Sequence, residues 1–352
     1  MKVQSLHRYK VRCGGDLISV FKPLNIMFSS YNSKARVPLS SSLENQESIK
    51  QVLLEILVEA GSVFPEWKVK LNEVTLAREF KPAYLASYPY QKNRGIYKFV
   101  YNVTDVVKSC SSFKQEGVYM VVKYEGGESF RVLGVLMDIL LEDKSASIRY
   151  EHYTGLVQLN LGEAITLDFE EPLEPGSEVR LISYSPASST ISMNAISSRK
   201  AYEPLVQVLD EHTIVLEEHT KSITLALEKS ERSMPVFISS VTAYRSIVEK
   251  PELDISDVKG RVEGSELKLQ VSICNKSHVK PDKVIVSVIR RGQVVGMFQE
   301  HGGKLESGVC ITREVSIPVG VLKSGEQDLV IRLIWSKLSK RWFINKVVNL
   351  SM

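Results

Sequence analysis

Residues 95–141 read GIYKFVYNVTDVVKSCSSFKQEGVYMVVKYEGGESFRVLGVLMDILL, and their patterning decides the fold class. Ile96, Lys98, Val100 and Asn102 alternate with Tyr97, Phe99, Tyr101 and Val103. A period of two sends successive side chains to opposite faces of a pleated strand. Gly117 to Tyr124 is a second such run, rich in the β-branched and aromatic residues that pack well on a pleated surface. Glu125-Gly126-Gly127 is a turn, because glycine enters positive φ without steric cost. Phe130 to Leu141 is a third run, nearly all apolar apart from Arg131 and Asp138. It is well short of the roughly twenty residues that a membrane-spanning helix needs.

A strand ending in Tyr101-Asn102-Val103-Thr104-Asp105-Val106-Val107, a polar loop, and then Gly117 to Val122 resembles the signature of galactose-binding-like jelly rolls. The sugar-binding domain of glycoside hydrolase family 2 is one of these. Gln51 to Val58 and Trp67 to Val74 stand where that family has its preceding strands. The resemblance covers roughly residues 45 to 142. It departs at Asn102, where the family usually has Asp, and at Glu73, where it usually has Gly. What it implies is a fold: in the family the Thr and its polar neighbours tie off a turn. Thr104 is therefore expected to close a turn.

The chain has 352 residues, 43% apolar and 24% charged, which is ordinary globular composition and enough for one to three domains. No internal repeat is visible at a fixed period. The N-terminal MKVQSLHRYKVRCGGDLISVF is basic but has no continuous apolar segment, so it does not read as a secretory signal. The expectation is a soluble, cytoplasmic protein. An extracellular or virion setting stays open if the chain is exported or assembled by another route.

Turn signals recur every eight to twelve residues through most of the chain, the rhythm of sandwiches and barrels. Leu17 to Ser30 suits a strand carrying an edge proline, Pro23, or two short strands. Ser33 to Glu47 and Ala83 to Arg94 read as loops. Ser48 to Gly61 is ambiguous. Ile49, Val52, Leu53, Ile56, Leu57 and Ala60 follow helical spacing, and the same run fits a fully buried strand. The resemblance favours the strand. Val241 to Ile255, with mixed charge and Pro251, reads as a linker.

The last hundred residues differ in charge. From Ile255 to Met352 there are sixteen Lys and Arg against nine Asp and Glu. Taken from totals of 45 and 41, that leaves twenty-nine against thirty-two for the rest, so a basic end follows a slightly acidic body. The charges are scattered, which fits a solvated surface; nucleic acid is not the expected partner. Leu267, Leu269, Val271 and Ile273 form one apolar face, and Leu329, Ile331, Leu333 and Trp335 another. The six or seven strands implied make an immunoglobulin-like sandwich. Val271 to Asn275, Val284 to Val288 and Gly325 to Ile331 resemble CARDB-type adhesion modules, which implies a spacer or interaction domain.

The expected architecture is therefore all-β. It comprises a jelly-roll-like β-sandwich over 1–142 and a β-rich region over 143–250, either completing that sandwich or forming a second subdomain. An immunoglobulin-like β-sandwich over 256–352 follows.

Chemistry is sparse. The sequence holds no Walker A loop, Rossmann glycine pattern, G-x-S-x-G or H-E-x-x-H. Asp105, Asp138, Glu151 and His152 have the right side chains for acid–base work, but nothing in the sequence brings them together. His152 with Tyr150 reads as a partly buried strand pair. His212 and His219, with Glu211, Glu217 and Glu218, offer metal-type donors but read better as an acidic turn. No metal or cofactor is expected. Tyr84, Tyr88 and Tyr90, followed by Lys92 and Arg94, would stack on a sugar ring if exposed; otherwise they pack on the sandwich edge. Cys274 and Cys310 both point off the core face. If their strands pair, a disulfide is within reach. The functional expectation is a non-enzymatic protein that binds a protein partner or itself, with glycan binding as the alternative.

Overall fold

A computed structural model describes residues 6–40, 48–61, 66–76, 82–88, 94–110, 117–195, 199–319 and 327–350. The chain divides into two compact units, Met1–Ser246 and Ile247–Met352.

The first unit begins with β1 (His7–Cys13), β2 (Gly15–Phe28), β3 (Lys34–Ser40), β4 (Ile49–Gly61), β5 (Glu66–Leu71) and β6 (Val74–Thr75). There follow β7 (Tyr84–Ser87), β8 (Arg94–Asn102), a short helix α1 (Thr104–Ser109), β9 (Val118–Gly126) and β10 (Phe130–Glu142). Next come β11 (Ala146–Leu159), β12 (Ala164–Leu173), β13 (Glu178–Tyr184), β14 (Ser189–Asn194) and β15 (Arg199–Tyr202). The unit closes with β16 (Leu209–Val215), β17 (Thr220–Ser230) and β18 (Val236–Val248).

These strands form four sheets, ordered β3-β9-β5-β6, β2-β10-β4-β8-β7, β1-β11-β18-β13-β16 and β12-β17-β14-β15. The sheets stack as four layers. Trp67 of the first sheet packs on Phe99 and Phe130 of the second. Leu57, Leu136 and Ile96 of the second meet Leu156, Ile182 and Phe237 of the third. Val179, Leu181 and Val241 of the third meet Leu167, Ile191 and Leu225 of the fourth. Two sandwiches are thus laid face to face, and both inner sheets are covered on both sides.

That layering explains the ambiguous run. Val52 to Ala60 on β4 are buried without a break, because both faces of the strand are covered. A doubly covered strand loses its polar alternation and imitates a buried helix. β10 is buried from Val132 to Leu141 for the same reason.

Several expectations are corrected. β1 pairs with β11 and so belongs to the second sandwich, although it lies in the first 142 residues. Val241 to Val248 is the second half of β18: Val241 to Tyr244 pair with β13, with Val241 and Ala243 fully buried, and the division between the two units, at Ser246 and Ile247, falls within the stretch read as a linker. Lys34–Ser40 is a strand paired with β9; Pro38 is tolerated because β3 is a sheet edge. Tyr84–Ser87 is likewise a strand, paired with β8. The chain after Asn102 does not run on as strand. Thr104 opens α1, and its hydroxyl accepts the Val52 N–H at 2.9 Å, while Asn102 Oδ1 accepts the Thr104 N–H at 3.1 Å.

The second unit holds β19 (Leu253–Glu263), β20 (Glu266–Asn275), β21 (Lys283–Arg290), β22 (Gln293–His301), β23 (Cys310–Pro318), β24 (Gln327–Lys337) and β25 (Lys340–Leu350). They form a three-stranded sheet, β19-β20-β23, and a four-stranded sheet, β22-β21-β24-β25. Leu269, Val271 and Ile273 of one sheet pack against Val286, Ile331 and Leu333 of the other. Trp335 fills one end of this core, and its indole N–H donates to the Pro251 carbonyl at 2.8 Å. Cys274 and Cys310 stand directly opposite one another on β20 and β23, their Cα atoms 4.0 Å apart and their sulfurs bonded. No described helix is long and apolar enough to cross a membrane.

Candidate functional site

The interface between the second and third sheets of the first unit is apolar at both ends and polar through its middle. Leu17, Leu140 and Ile148 close one end with Tyr150. Leu57, Leu156, Ile182 and Phe237 close the other. Between them, Glu55 (β4), Lys98 (β8) and Asp138 (β10) reach up from one sheet, while His152 (β11), Arg180 (β13) and Thr242 (β18) reach down from the other. All of the charged members are at most 5% exposed.

Register places the helpers. Ser19 is directly opposite Asp138, and Thr242 is directly opposite Arg180. Lys98 Nζ lies 2.9 Å from Glu55 Oε2 and also donates to the Ser239 carbonyl at 2.5 Å. His152 Nε2 donates to Glu55 Oε1 at 2.8 Å, and Thr154 donates to the same oxygen at 2.5 Å. The other ring nitrogen bonds the Thr242 hydroxyl at 2.9 Å. Arg180 Nη2 donates to Asp138 Oδ1 at 2.9 Å, and its Nε is 3.3 Å from Glu211. Tyr150 donates to Asp138 Oδ2 at 2.9 Å, and Ser19 donates to Oδ1. The result is one continuous network from Lys98 to Arg180.

Burial alone would push the Glu55 carboxyl up, but Lys98 and His152 outweigh it and hold the group well below the usual carboxylate range. Asp138 is likewise lowered: Arg180 and His152 overcome its burial. Burial lowers Lys98 despite Glu55, and raises the Tyr150 phenol, with Asp138 adding to that rise. A general acid or base must lie within hydrogen-bond reach of a substrate's proton. Here each charged group is turned onto a protein partner and is closed off from solvent.

A second, smaller cluster sits at the β7 end of the interface. The Tyr88 hydroxyl donates to Glu59 at 3.0 Å and lies 3.2 Å from the Tyr184 hydroxyl, with Arg131 3.6 Å from Glu59. Tyr88 is therefore a buried structural residue, not an exposed stacking ring. Tyr84 is half-buried beside His7, their ring centroids 5.7 Å apart, and burial pushes its phenol up to about 12. Arg94 is exposed at the start of β8. Tyr90 and Lys92 lie outside the described residues.

Of the acid–base candidates, the structure brings Asp138 and His152 together, 3.9 Å apart. Tyr150 stacks on the His152 ring at 5.9 Å. Glu151 points to the opposite face, where Arg8 and Arg149 pair with it. Asp105 is exposed on α1. His212 packs against Tyr202 with ring centroids 4.5 Å apart, and His219 is exposed. Among the described residues, no group of three or more His, Cys, Asp and Glu is arranged to hold a metal ion. Sequence reading missed Glu55, Lys98 and Arg180. The signal was present for Glu55: a lone carboxylate inside Val52-Leu53-Leu54-Glu55-Ile56-Leu57-Val58 must find a buried partner.

No family model and no curated protein matches the sequence. Among solved structures, the chain is similar to a β-glucuronidase from Ruminococcus gnavus, with a TM-score of 0.22 and 8% identity over 57% of this chain and 35% of that one. A β-glucuronidase from Parabacteroides merdae gives a TM-score of 0.23 and 11% identity over 57% of this chain and 27% of that one. The chain spans about a third of the length of these enzymes. Likeness at that TM-score carries no argument about activity.

Proposed function

We propose that the chain is a non-enzymatic protein-interaction or assembly protein built of β-sandwich modules. One contrast supports this reading. The ionisable groups that converge in the first unit are buried on one another, whereas large apolar side chains in the second unit are left in water. Val294, Met297, Phe343 and Val347 are 60–62% exposed. Chemistry needs reachable polar groups, and recognition needs reachable apolar ones. The C-terminal unit, with its three-stranded and four-stranded sheets, suits the role of an immunoglobulin-like interaction module. Size-exclusion chromatography with light scattering, combined with affinity capture, tests the proposal. An oligomer or a saturable partner is expected; a strict monomer that retrieves no partner overturns it.

Glycan binding is the second reading, favoured by one observation. Tyr84 is half-buried with its ring centroid 5.7 Å from that of His7, and Tyr9, two residues further along β1 from His7, is partly open to solvent. Aromatic rings in such a position can stack on a sugar face. A glycan array decides this. No hits, or hits that survive Tyr84→Ala combined with Tyr9→Ala, remove it.

A further inference from the structure

The two outer faces of the C-terminal sandwich are unlike each other. On the three-stranded sheet, the outward side chains are Lys268, Gln270, Ser272, Thr312, Glu314 and Ser316, with Lys268 paired to Glu314 at 3.4 Å. That is the polar-out alternation of a solvated antiparallel sheet. On the four-stranded sheet, the outward positions run in register across the strands. Ile285 faces Ile334, which faces Phe343; Ile289 faces Val330, which faces Val347. Met297 and Val294 extend the same face on β22. A sheet whose partner is water does not align two apolar rows on its outside.

In the middle of this face stands Arg332, between the two rows. Its guanidinium lies over the Phe343 ring, 5.2 Å from the centroid, and its Nε–H donates to Asn345 at 3.0 Å. Lys283 and Arg341 share the face at one end, lined up through Ser336. Among the described residues, no carboxylate pairs with Arg332, and no outward position of β21, β22 or β25 holds one; Asp328 takes an outward register position on β24, opposite Asn349 and at the far end of the sheet from Lys283 and Arg341. Aromatic, Met and Arg side chains around a dry centre are the composition of a binding hot spot.

We propose that this face docks another protein through an amphipathic helix whose apolar side is flanked by Glu or Asp. Three points fix that occupant. An apolar sheet face is closed by a helix or by another sheet. The cations Arg332, Lys283 and Arg341 outnumber the one carboxylate position, Asp328, on this face, so they favour carboxylates on whatever covers them. A second copy stacked face to face would set these cations against their own equivalents, which disfavours self-association here. The proposal rests on the protein-interaction reading above and names the surface and the partner's chemistry.

The test uses the full chain and two fluorescein-labelled helical peptides of about eighteen residues, roughly five turns. Both carry a leucine face; one is flanked by glutamates and the other by lysines. Fluorescence anisotropy should show saturable binding of the glutamate peptide, weakening as salt rises from about 50 to about 500 mM. The lysine peptide should bind at least about tenfold more weakly. Phe343→Asp should abolish binding, and Arg332→Glu should reverse the preference between the peptides. Both side chains face outward, so circular dichroism of each variant should match the parent. No binding of the glutamate peptide, equal binding of both peptides, or an unchanged preference in Arg332→Glu overturns the proposal. So does a dimer that Phe343→Asp dissociates, because a second copy would then cover the face. If the glutamate peptide fails while the chain still assembles through another surface, the broader interaction reading stands and only this site falls.

Discussion

His152 Nε2 and Glu55 Oε1 lie 2.8 Å apart, and the hydrogen bond between them crosses from the third sheet of the N-terminal unit to the second. Glu55 belongs to one sandwich and His152 to the other. An apolar interface of this area would tolerate sliding, because hydrophobic contact is non-directional. A directional network through its centre penalises any shift of register, since each slipped group would be left unpaired in a dry environment. The buried charges thus act as a lock on the alignment of the sandwiches.

Breaking one side of the lock is expected to be costly. Arg180→Met strands the Asp138 carboxylate, and Lys98→Met strands Glu55. Loss of one partner of a buried pair costs about 3–5 kcal/mol. Urea unfolding of the full chain, followed by tryptophan fluorescence, measures it. A loss below about 1 kcal/mol, the range of surface pairs, contradicts the assignment.

Stability should fall at both ends of the pH scale. Glu55 and Asp138 have folded-state pKa values below their unfolded ones. Their contribution is therefore complete above the unfolded range near 4 and is lost as pH falls through the folded values. Tyr150 and Tyr88 are raised by burial, so their contribution is complete below about pH 10 and is lost above it. Thermal midpoints from about pH 3 to about pH 11 should trace a plateau with two falling limbs. A midpoint still rising below about pH 4 contradicts this account.

At Gly134 the two sandwiches approach closely. A Cβ there would sit 2.6 Å from the Leu209 side chain of the third sheet and 3.0 Å from the Lys22 carbonyl. Gly134→Val should therefore destabilise the N-terminal unit by about 1–3 kcal/mol, the usual cost of overpacking. The urea midpoint of that unit is the readout, and an unchanged midpoint is the contrary result.

The Cys274–Cys310 bridge spans a sequence separation of 36. Chain entropy sets an upper value of about 4 kcal/mol for a loop of that size. Cys274→Ser with Cys310→Ser should lower the stability of the C-terminal unit by up to that amount and leave the N-terminal unit unchanged. Reduction should add a mass of about two hydrogens, as expected for one bond. Two freely alkylated thiols in the native protein contradict the bridge.

Much of the scaffold was legible because alternation is local. β9, β20 and β24 each show one apolar face in the sequence, and each is a strand with that face buried. β4 hid its type because both of its faces are covered, and only the resemblance to jelly rolls favoured strand over helix there. Val241 to Val248 misled in another way. The charges from Arg245 onward lie at the exposed end of β18, while the buried inner part looks like any short apolar run. The site was largely illegible. Ser19, Glu55, Lys98, Asp138, His152, Arg180 and Thr242 come from seven strands, and no spacing rule joins positions so far apart. Glu55 and Asp138 were marked only as charges inside apolar strands, which signals a buried partner without naming it.

The central claim is that the converging ionisable groups are sealed inside the N-terminal unit and that recognition happens on the surface. Residue-resolved chemical labelling tests it most directly. The native chain would be treated with diethyl pyrocarbonate and an amine-acetylating reagent and read by peptide mass spectrometry. The account predicts prompt modification of exposed His219, His278 and Lys34, and none at His152 or Lys98 until the protein is unfolded. Labelling of His152 or Lys98 in the native protein at the rate of those exposed groups would reveal a solvent-reachable polar pocket and contradict the claim.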